Sequence, residues 1–230
     1  GEPGVQLTWM DVKIDDWVVT PRTGKTVEIN ALWFNALRIM QDFADHLGED
    51  STEYAALAAR VREGFGRFWN AGMGYCYDVI GGPEGDDLSL RPNQLLAVSL
   101  PHSPLPAEQQ RSVVDTCARH LLTAHGLRSL SPDDKAYTGQ YSGDRRKRDA
   151  AYHQGTVWAW LIGPFVGAHL RVYKDRAYLE PLLHHLIDHG VGSVSEIFEG
   201  DAPFAPRGCI AQAWSVAEVL RAWQMTEIRE

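Results

Sequence analysis

The stretch Leu7–Asp11, LTWMD, sets a tryptophan two residues before an acid near the start of this 230-residue chain. That combination suits a sugar. An apolar ring face stacks on the C–H side of the pyranose, and a carboxylate takes its hydroxyls. Other chemistries are set aside by what the sequence lacks. It has no G-x-x-x-x-G-K-[ST] loop and no G-x-G-x-x-G turn to cradle phosphates. It has no G-x-S-x-G nucleophile elbow and no H-E-x-x-H zinc motif. What remains is Asp, Glu, Asn, Gln, His and Trp gathered at helix entrances. Hydrolysis of a glycosidic bond uses such a set, with one carboxyl group on each side of the anomeric carbon. Taken alone, Asp11 also fits a plain turn acid, and Glu196 a solvated acid after a glycine turn.

Composition narrows the field further. The chain is 44% hydrophobic and 23% charged, an ordinary globular balance for one large domain or two small ones. A net charge of −8 argues against nucleic acid or an anionic membrane as partner. The one basic run, Arg145–Arg148, is flanked by Asp144 and Asp149 and is expected to be a solvated loop. Cys76, Cys117 and Cys209 are odd in number and far apart, which predicts reduced thiols, no zinc site and a cytoplasmic setting. The first residues lack a basic start followed by an apolar run, so no leader is expected. The most apolar segment, Val157–Leu170, is too short to span a bilayer. Eight tryptophans, several beside polar residues, suit sugar platforms as well as core packing.

The elements that must position these residues read as helices. Ile29, Leu32, Trp33, Ala36, Leu37, Met40, Phe43, Ala44 and Leu47 predict one buried stripe on a helix over Glu28–Leu47, stopped by Gly48. A second helix through Tyr54, Ala58, Val61, Phe65 and Phe68 makes an antiparallel hairpin with it, capped by Ser51 or Thr52. The Gly-rich stretch AGMGYCYDVIGGPEGDD predicts a small strand excursion. Helices resume at Arg91-Pro92-Asn93 and after Pro106, the latter burying Val113, Val114, Cys117 and Leu121. Residues Thr123–His153 predict a long irregular segment, of the kind that carries function. Thr156–Tyr173 is apolar all round, hence deeply buried, with a kink expected at Pro164. Amphipathic helices over Asp175–His189 and Ile210–Gln224 follow, the last burying Ala213, Trp214, Ala217, Leu220 and Trp223. The fold expected is all-α: helical hairpins alternating buried and amphipathic members, as in a toroid with inner and outer rings.

Six motifs in order carry a family resemblance. LTWMD, VVTPRTGKTVEINALWFNALRIM, LRPNQLLAVSLP, SPDDKAYTGQYSGD, AYHQGTVWAWLIGPF and SEIFEGDAPFAPRGCIAQAWSVAEVLRAW resemble the C-terminal domain of bacterial and archaeal glycogen debranching enzymes. This is the amylo-α-1,6-glucosidase family, related in architecture to glucoamylases. The resemblance covers essentially the whole chain and implies an (α/α)6 barrel. The family domain is longer and carries further helices before TWMD. Residues 1–230 are therefore expected to be a single α/α domain that forms the C-terminal part of a longer one, its barrel incomplete.

The resemblance implies that Asp11 is the general acid and Glu196 the general base, with Glu199 and Asp201 as competing candidates nearby. Inversion follows: Asp11 protonates the glycosidic oxygen while Glu196 activates water on the opposite face. Glucose would leave from α-1,6 branch stubs of a glycogen-type glucan, with no metal or organic cofactor. Trp9 is the stacking candidate, and Trp33 fits core packing at least as well. Lys25, Glu28 and Asn30 stand at one helix entrance, where Glu28 also complements the helix dipole. Arg91, Asn93 and Gln94 stand at another, where a buried Arg91 could pair with Asp11 or another acid. His153, Gln154 and Trp158 resemble the wall holding the terminal glucose, and Gln212 and Trp214 at the last helix read the same way. Two alternatives stay open. One is a truncated, non-catalytic carbohydrate-binding fragment, with exposed helix faces that pair into a homodimer. The other is a related hydrolase acting on a different α-glucoside.

Overall fold

The computed structural model describes residues 1–174 and 180–227. Eight α-helices occur among them: α1 Val27–Leu47, α2 Thr52–Phe65, α3 Leu96–Ser99, α4 Ala107–His120, α5 Arg145–Ala151, α6 Ile162–Tyr173, α7 Glu180–Asp188 and α8 Ala213–Glu227. α1 ends at Gly48, whose φ of 73° lets its N–H turn back onto Ala44 and Asp45. Two residues on, the Asp50 carboxylate accepts the Thr52 N–H at 2.9 Å and opens α2, a capping part expected of Ser51 or Thr52. α1 packs on α2 and α3, α3 on α6, α6 on α8, and α4 on α3 and α6. The helical hairpins are therefore as expected. No described helix is long and apolar enough to cross a membrane.

An all-α description is incomplete. Short antiparallel strands join the helices, and the largest group is a five-stranded ribbon. Its order is Pro206–Arg207, Ile197–Phe198, Val157–Trp158, Gly126–Arg128 and Leu122–Thr123. Strands of two or three residues leave almost no periodic signal in a sequence and hold only where helices back them. They also correct two expected elements. Segment 123–153 contains part of this ribbon and α5, so Arg145–Arg148 form the first turn of a helix and not a loop; Asp144 caps it by accepting the Lys147 N–H. The buried run from Thr156 starts as a strand and a 3-10 turn, and α6 begins only at Ile162. Pro164 thus sits in a first turn, where its missing N–H costs nothing, and does not kink a helix. Of the helix expected over 175–189, residues 175–179 lie outside the described residues.

The larger correction concerns which way α1 and α8 face. Ile29, Leu32, Trp33, Ala36, Met40, Phe43 and Leu47 are exposed on α1, and Ala213, Trp214, Ala217, Leu220 and Trp223 on α8. Of the expected stripe only Leu37 and Ala44 are buried, and they lie on a second one with Val27, Ala31 and Phe34. Phe34 and Leu37 meet Ala58, Leu57 and Val61 of α2, with the Arg62 guanidinium 5.1 Å above the Phe34 ring. α1 is apolar on two sides, so periodicity alone selects the stronger stripe without saying which neighbour is there. Replacing Phe34 with Ala should cost about 3–5 kcal/mol in urea unfolding, as expected for a buried aromatic. Phe43→Gln on the exposed stripe should stay within about 0.5 kcal/mol. Similar losses from both changes would refute the orientation of α1.

Candidate active site

Four charged groups organise the site from beneath. Arg22, in the loop before α1, makes paired bonds to Glu28 in the first turn of α1 and to Asp78 in the hairpin that flanks it. Arg22 Nη2 donates to Glu28 Oε2 at 2.6 Å, and Arg22 Nε donates to Asp78 Oδ2 at 2.6 Å. Arg91 approaches the same Asp78 carboxylate at 3.7 Å. All four side chains are almost entirely removed from solvent. Charges in such a setting survive only when paired, and two cations here meet two carboxylates. Burial works against the charge on Arg22, but Asp78 and Glu28 outweigh it and raise its pKa. Burial lowers that of Arg91, with Asp78 opposing.

This quartet holds the TWMD segment. Asn93 donates to Asp78 at 2.8 Å and accepts the Trp9 indole N–H at 2.7 Å. Met10 is buried, its sulfur against Arg91 and Asn93. Asp11 comes next and is exposed, so an acid in solvent follows two anchored residues. Around Trp9 lie His153, Trp158, Trp160 and Trp214, each edge-on, with ring centroids 5.1–6.4 Å away. Trp160 and Trp214 stack at 3.9 Å, and Trp214 is 42% exposed. Trp9, Trp160 and Trp214 line a 440 Å³ cleft together with Glu28, Ile29 and Leu32 of α1. His153 stacks on Trp158, and burial, then the charges of Arg91 and Arg22, push its pKa down to about 3. It is a neutral imidazole at physiological pH.

The second carboxylate arrives on the ribbon. Trp158 pairs with Ile197, and Glu196 lies immediately before Ile197. Glu196 Oε2 accepts the Cys209 N–H and Oε1 accepts the Gln212 amide, each at 3.1 Å. Gly208, at φ 66°, is needed there because a Cβ would overlap Glu196 Oε2. Its acidic neighbours are engaged elsewhere: Glu199 with Arg207 at 2.9 Å, and Asp201 with the Tyr137 hydroxyl at 2.9 Å. Tyr152 stands edge-on to Trp158 at 4.8 Å. Burial, a polar contact with Glu196 and the charges of Glu196, Tyr141 and Asp11 raise its phenol pKa, so it remains a neutral hydroxyl.

The site residues expected from sequence thus divide. Trp9, Glu28 and Trp214 line the cleft, Trp158 backs it, and Gln212 holds Glu196. Asn93, Arg91 and Gln154 form the support: Arg91 bonds the Gln154 side chain and the His153 carbonyl, both at 2.8 Å, and pairs with Asp78, not Asp11. Gln94 accepts the Cys76 N–H, and Asn30 bonds its own helix at Thr26. Lys25 and Trp33 are exposed. Arg22, Asp78 and Trp160 are not singled out by sequence, and Tyr152 enters only as part of the Y-H-Q-G wall segment. Trp160 sits inside AYHQGTVWAW without a role of its own, whereas no spacing links Arg22 to Asp78. Cys76, Cys117 and Cys209 are free thiols, and no three potential metal ligands cluster among the described residues.

Comparison with known proteins defines the class first. The chain superposes on a GH63 mannosylglycerate hydrolase from Thermus thermophilus with a TM-score of 0.62 and 16% identity, covering 87% of this chain and 46% of that one. A neutral trehalase of Saccharomyces cerevisiae gives 0.62 and 13%, covering 86% and 37%. The fold is that of an α/α toroid family, with the short sheets described above. The chain belongs to the amylo-alpha-1,6-glucosidase family, whose profile matches residues 1–221. The glycogen debranching enzyme of Saccharomyces cerevisiae is 26% identical over 65% of this chain, which spans 12% of that enzyme's length.

The quartet makes a direct prediction. Arg22→Met leaves Glu28 and Asp78 buried with too little positive charge and should cost about 3–5 kcal/mol. Asn93→Ala should cost about 1–3 kcal/mol by stranding the Trp9 indole N–H and Asp78. Urea unfolding followed by tryptophan fluorescence measures both; an Arg22 variant as stable as the parent would refute the pairing.

Proposed function

We propose that this chain carries both carboxylates of an inverting α-1,6-glucosidase that removes glucose from branch stubs of a glycogen-type glucan. Asp11 is the general acid and Glu196 the general base. The observation that carries this reading is that both ends of the chain reach Trp158: the ring of Trp9, two residues before Asp11, lies 5.3 Å from its ring, and Ile197, next to Glu196, pairs with its backbone. Exposure leaves Asp11 free to meet a leaving-group oxygen. Glu196 is held by two donors, with its neighbours Glu199 and Asp201 already committed to other partners. An inverting pair stands about 6.5–9.5 Å apart and admits a water between base and sugar, whereas a retaining pair stands about 5–5.5 Å apart. Trp214, exposed on its stack with Trp160, offers the ring face a glucose would cover.

The finer architecture is part of the same proposal. We infer a partial (α/α)6 ring with α1, α3, α6 and α8 as inner helices and α2 and α4 outside them. Away from the cleft, the exposed Trp33, Met40, Phe43 and Leu47 of α1 and Leu220 and Trp223 of α8 are the faces that further helices would cover. These faces are also where a second copy would pack, and size measurement across a concentration series separates the two.

Asp11→Asn and Glu196→Gln should each lower glucose release from a 6-O-α-glucosyl maltooligosaccharide by about 10²–10⁴-fold. α-Glucosyl fluoride separates their roles, since fluoride leaves without a proton. Asp11→Asn should keep most of its turnover of the fluoride, and Glu196→Gln should not. Equal loss in both would overturn the assignment of acid and base.

A further inference from the structure

We propose that His185 is a positioning residue for Glu196, acting through the peptide N–H of Ser195; this rests on the assignment of Glu196 as base. His185 lies on α7, remote in sequence from the motifs that flagged the site. Its ring is 5% exposed, and its Nε2 accepts the Ser195 N–H at 3.2 Å. Ser195 is wholly buried. A buried N–H without an acceptor costs about 1–3 kcal/mol, so this bond holds the peptide that leads into Glu196. It also fixes the tautomer, with Nε2 bare and the proton on Nδ1.

The ring has little room to turn. It stands edge-on to Phe198 at 4.9 Å and to His125 at 5.9 Å, and stacks on His189 at 5.7 Å. His125 in turn stacks on Phe198 at 4.5 Å. At the end of α7 the His189 and Gly190 N–H groups donate to the His185 carbonyl and tie down its backbone. Glu196 is thereby held from three directions. His185 fixes the preceding peptide, the Cys209 carbonyl accepts the Glu196 N–H at 2.9 Å, and the ribbon fixes Ile197. A base displaced by about 1 Å can lose on the order of 10²-fold in rate, so the acceptor on α7 matters although it touches no substrate.

Protonation would undo the contact, because Nε2 would become a donor aimed at a donor. Burial, then the charges of His125 and His189, hold the His185 pKa down to about 4, with Asp188 opposing. The folded value lies below the ordinary 6.5, so the unfolded chain takes the proton first. Stability from this site is complete above pH 6.5 and is lost as pH falls towards 4.

The test compares the parent chain with His185→Leu and His185→Gln, whose Oε1 can accept the same bond. Hydrogen exchange of the Ser195 amide, followed by NMR against Ile197 and Phe198, should quicken at least tenfold in the Leu variant. The Gln variant should restore it to within threefold. kcat for glucose release should fall about tenfold in His185→Leu with KM within twofold, and the Gln variant should recover it. Between pH 6.5 and 4 the parent should lose Ser195 protection beyond the intrinsic change, and His185→Gln should not. Unchanged exchange in His185→Leu, or a Gln variant no better than Leu, would overturn the proposal. Should the Leu variant fail to fold, the pH comparison of parent with Gln decides: equal behaviour refutes the role. The exchange readout needs no turnover. A wrong assignment of Glu196 would show instead as a parent chain that releases no glucose while its exchange results hold.

Discussion

The TWMD segment rests on a buried pair of arginines facing a buried pair of carboxylates. Arg22 links the loop before α1 to Glu28 in that helix and to Asp78 in the adjoining hairpin. Asp78 passes the constraint through Asn93 to the Trp9 indole. An ion pair in water contributes little, but a dry one leaves an uncompensated charge whenever a partner departs. The network is therefore held together mainly by the cost of breaking it. That cost is what fixes Trp9 and Met10, and with them the direction in which Asp11 leaves the core.

The second acid depends on a different kind of constraint. No charge network surrounds Glu196 among the described residues; hydrogen bonds to its carboxylate and its backbone, together with a ribbon of very short strands, set its place. The same ribbon carries Trp158, whose ring meets that of Tyr152, so wall and base share one backbone support. One acid is anchored electrostatically from below and the other by backbone pairing from the side. Burial and neighbouring negative charge keep the Tyr152 phenol protonated.

How much of this was legible in the sequence follows from the range of each interaction. Helical hairpins were, because α1, α2 and α4 repeat apolar residues over several turns. Gly48 and Pro106 were read correctly as punctuation, since their effects are local. The ribbon was not, because strands of two residues have no period to detect. The facing of α1 and α8 was misread, because both helices are apolar on two sides and periodicity ranks stripes without naming the neighbour. At the site, motif resemblance picked out Trp9, His153, Gln212 and Trp214. It missed Arg22 and Asp78, whose link is a fact of three dimensions alone. His185 belongs to the same category: an ordinary helix histidine until Ser195 is brought against it.

The central claim is that Asp11 and Glu196 act as an inverting pair. The most direct measurement is the anomer of the first glucose released from a 6-O-α-glucosyl maltooligosaccharide, read by ¹H NMR before mutarotation. The account predicts β-glucose. α-Glucose, or binding of the oligosaccharide with no glucose released, would contradict it.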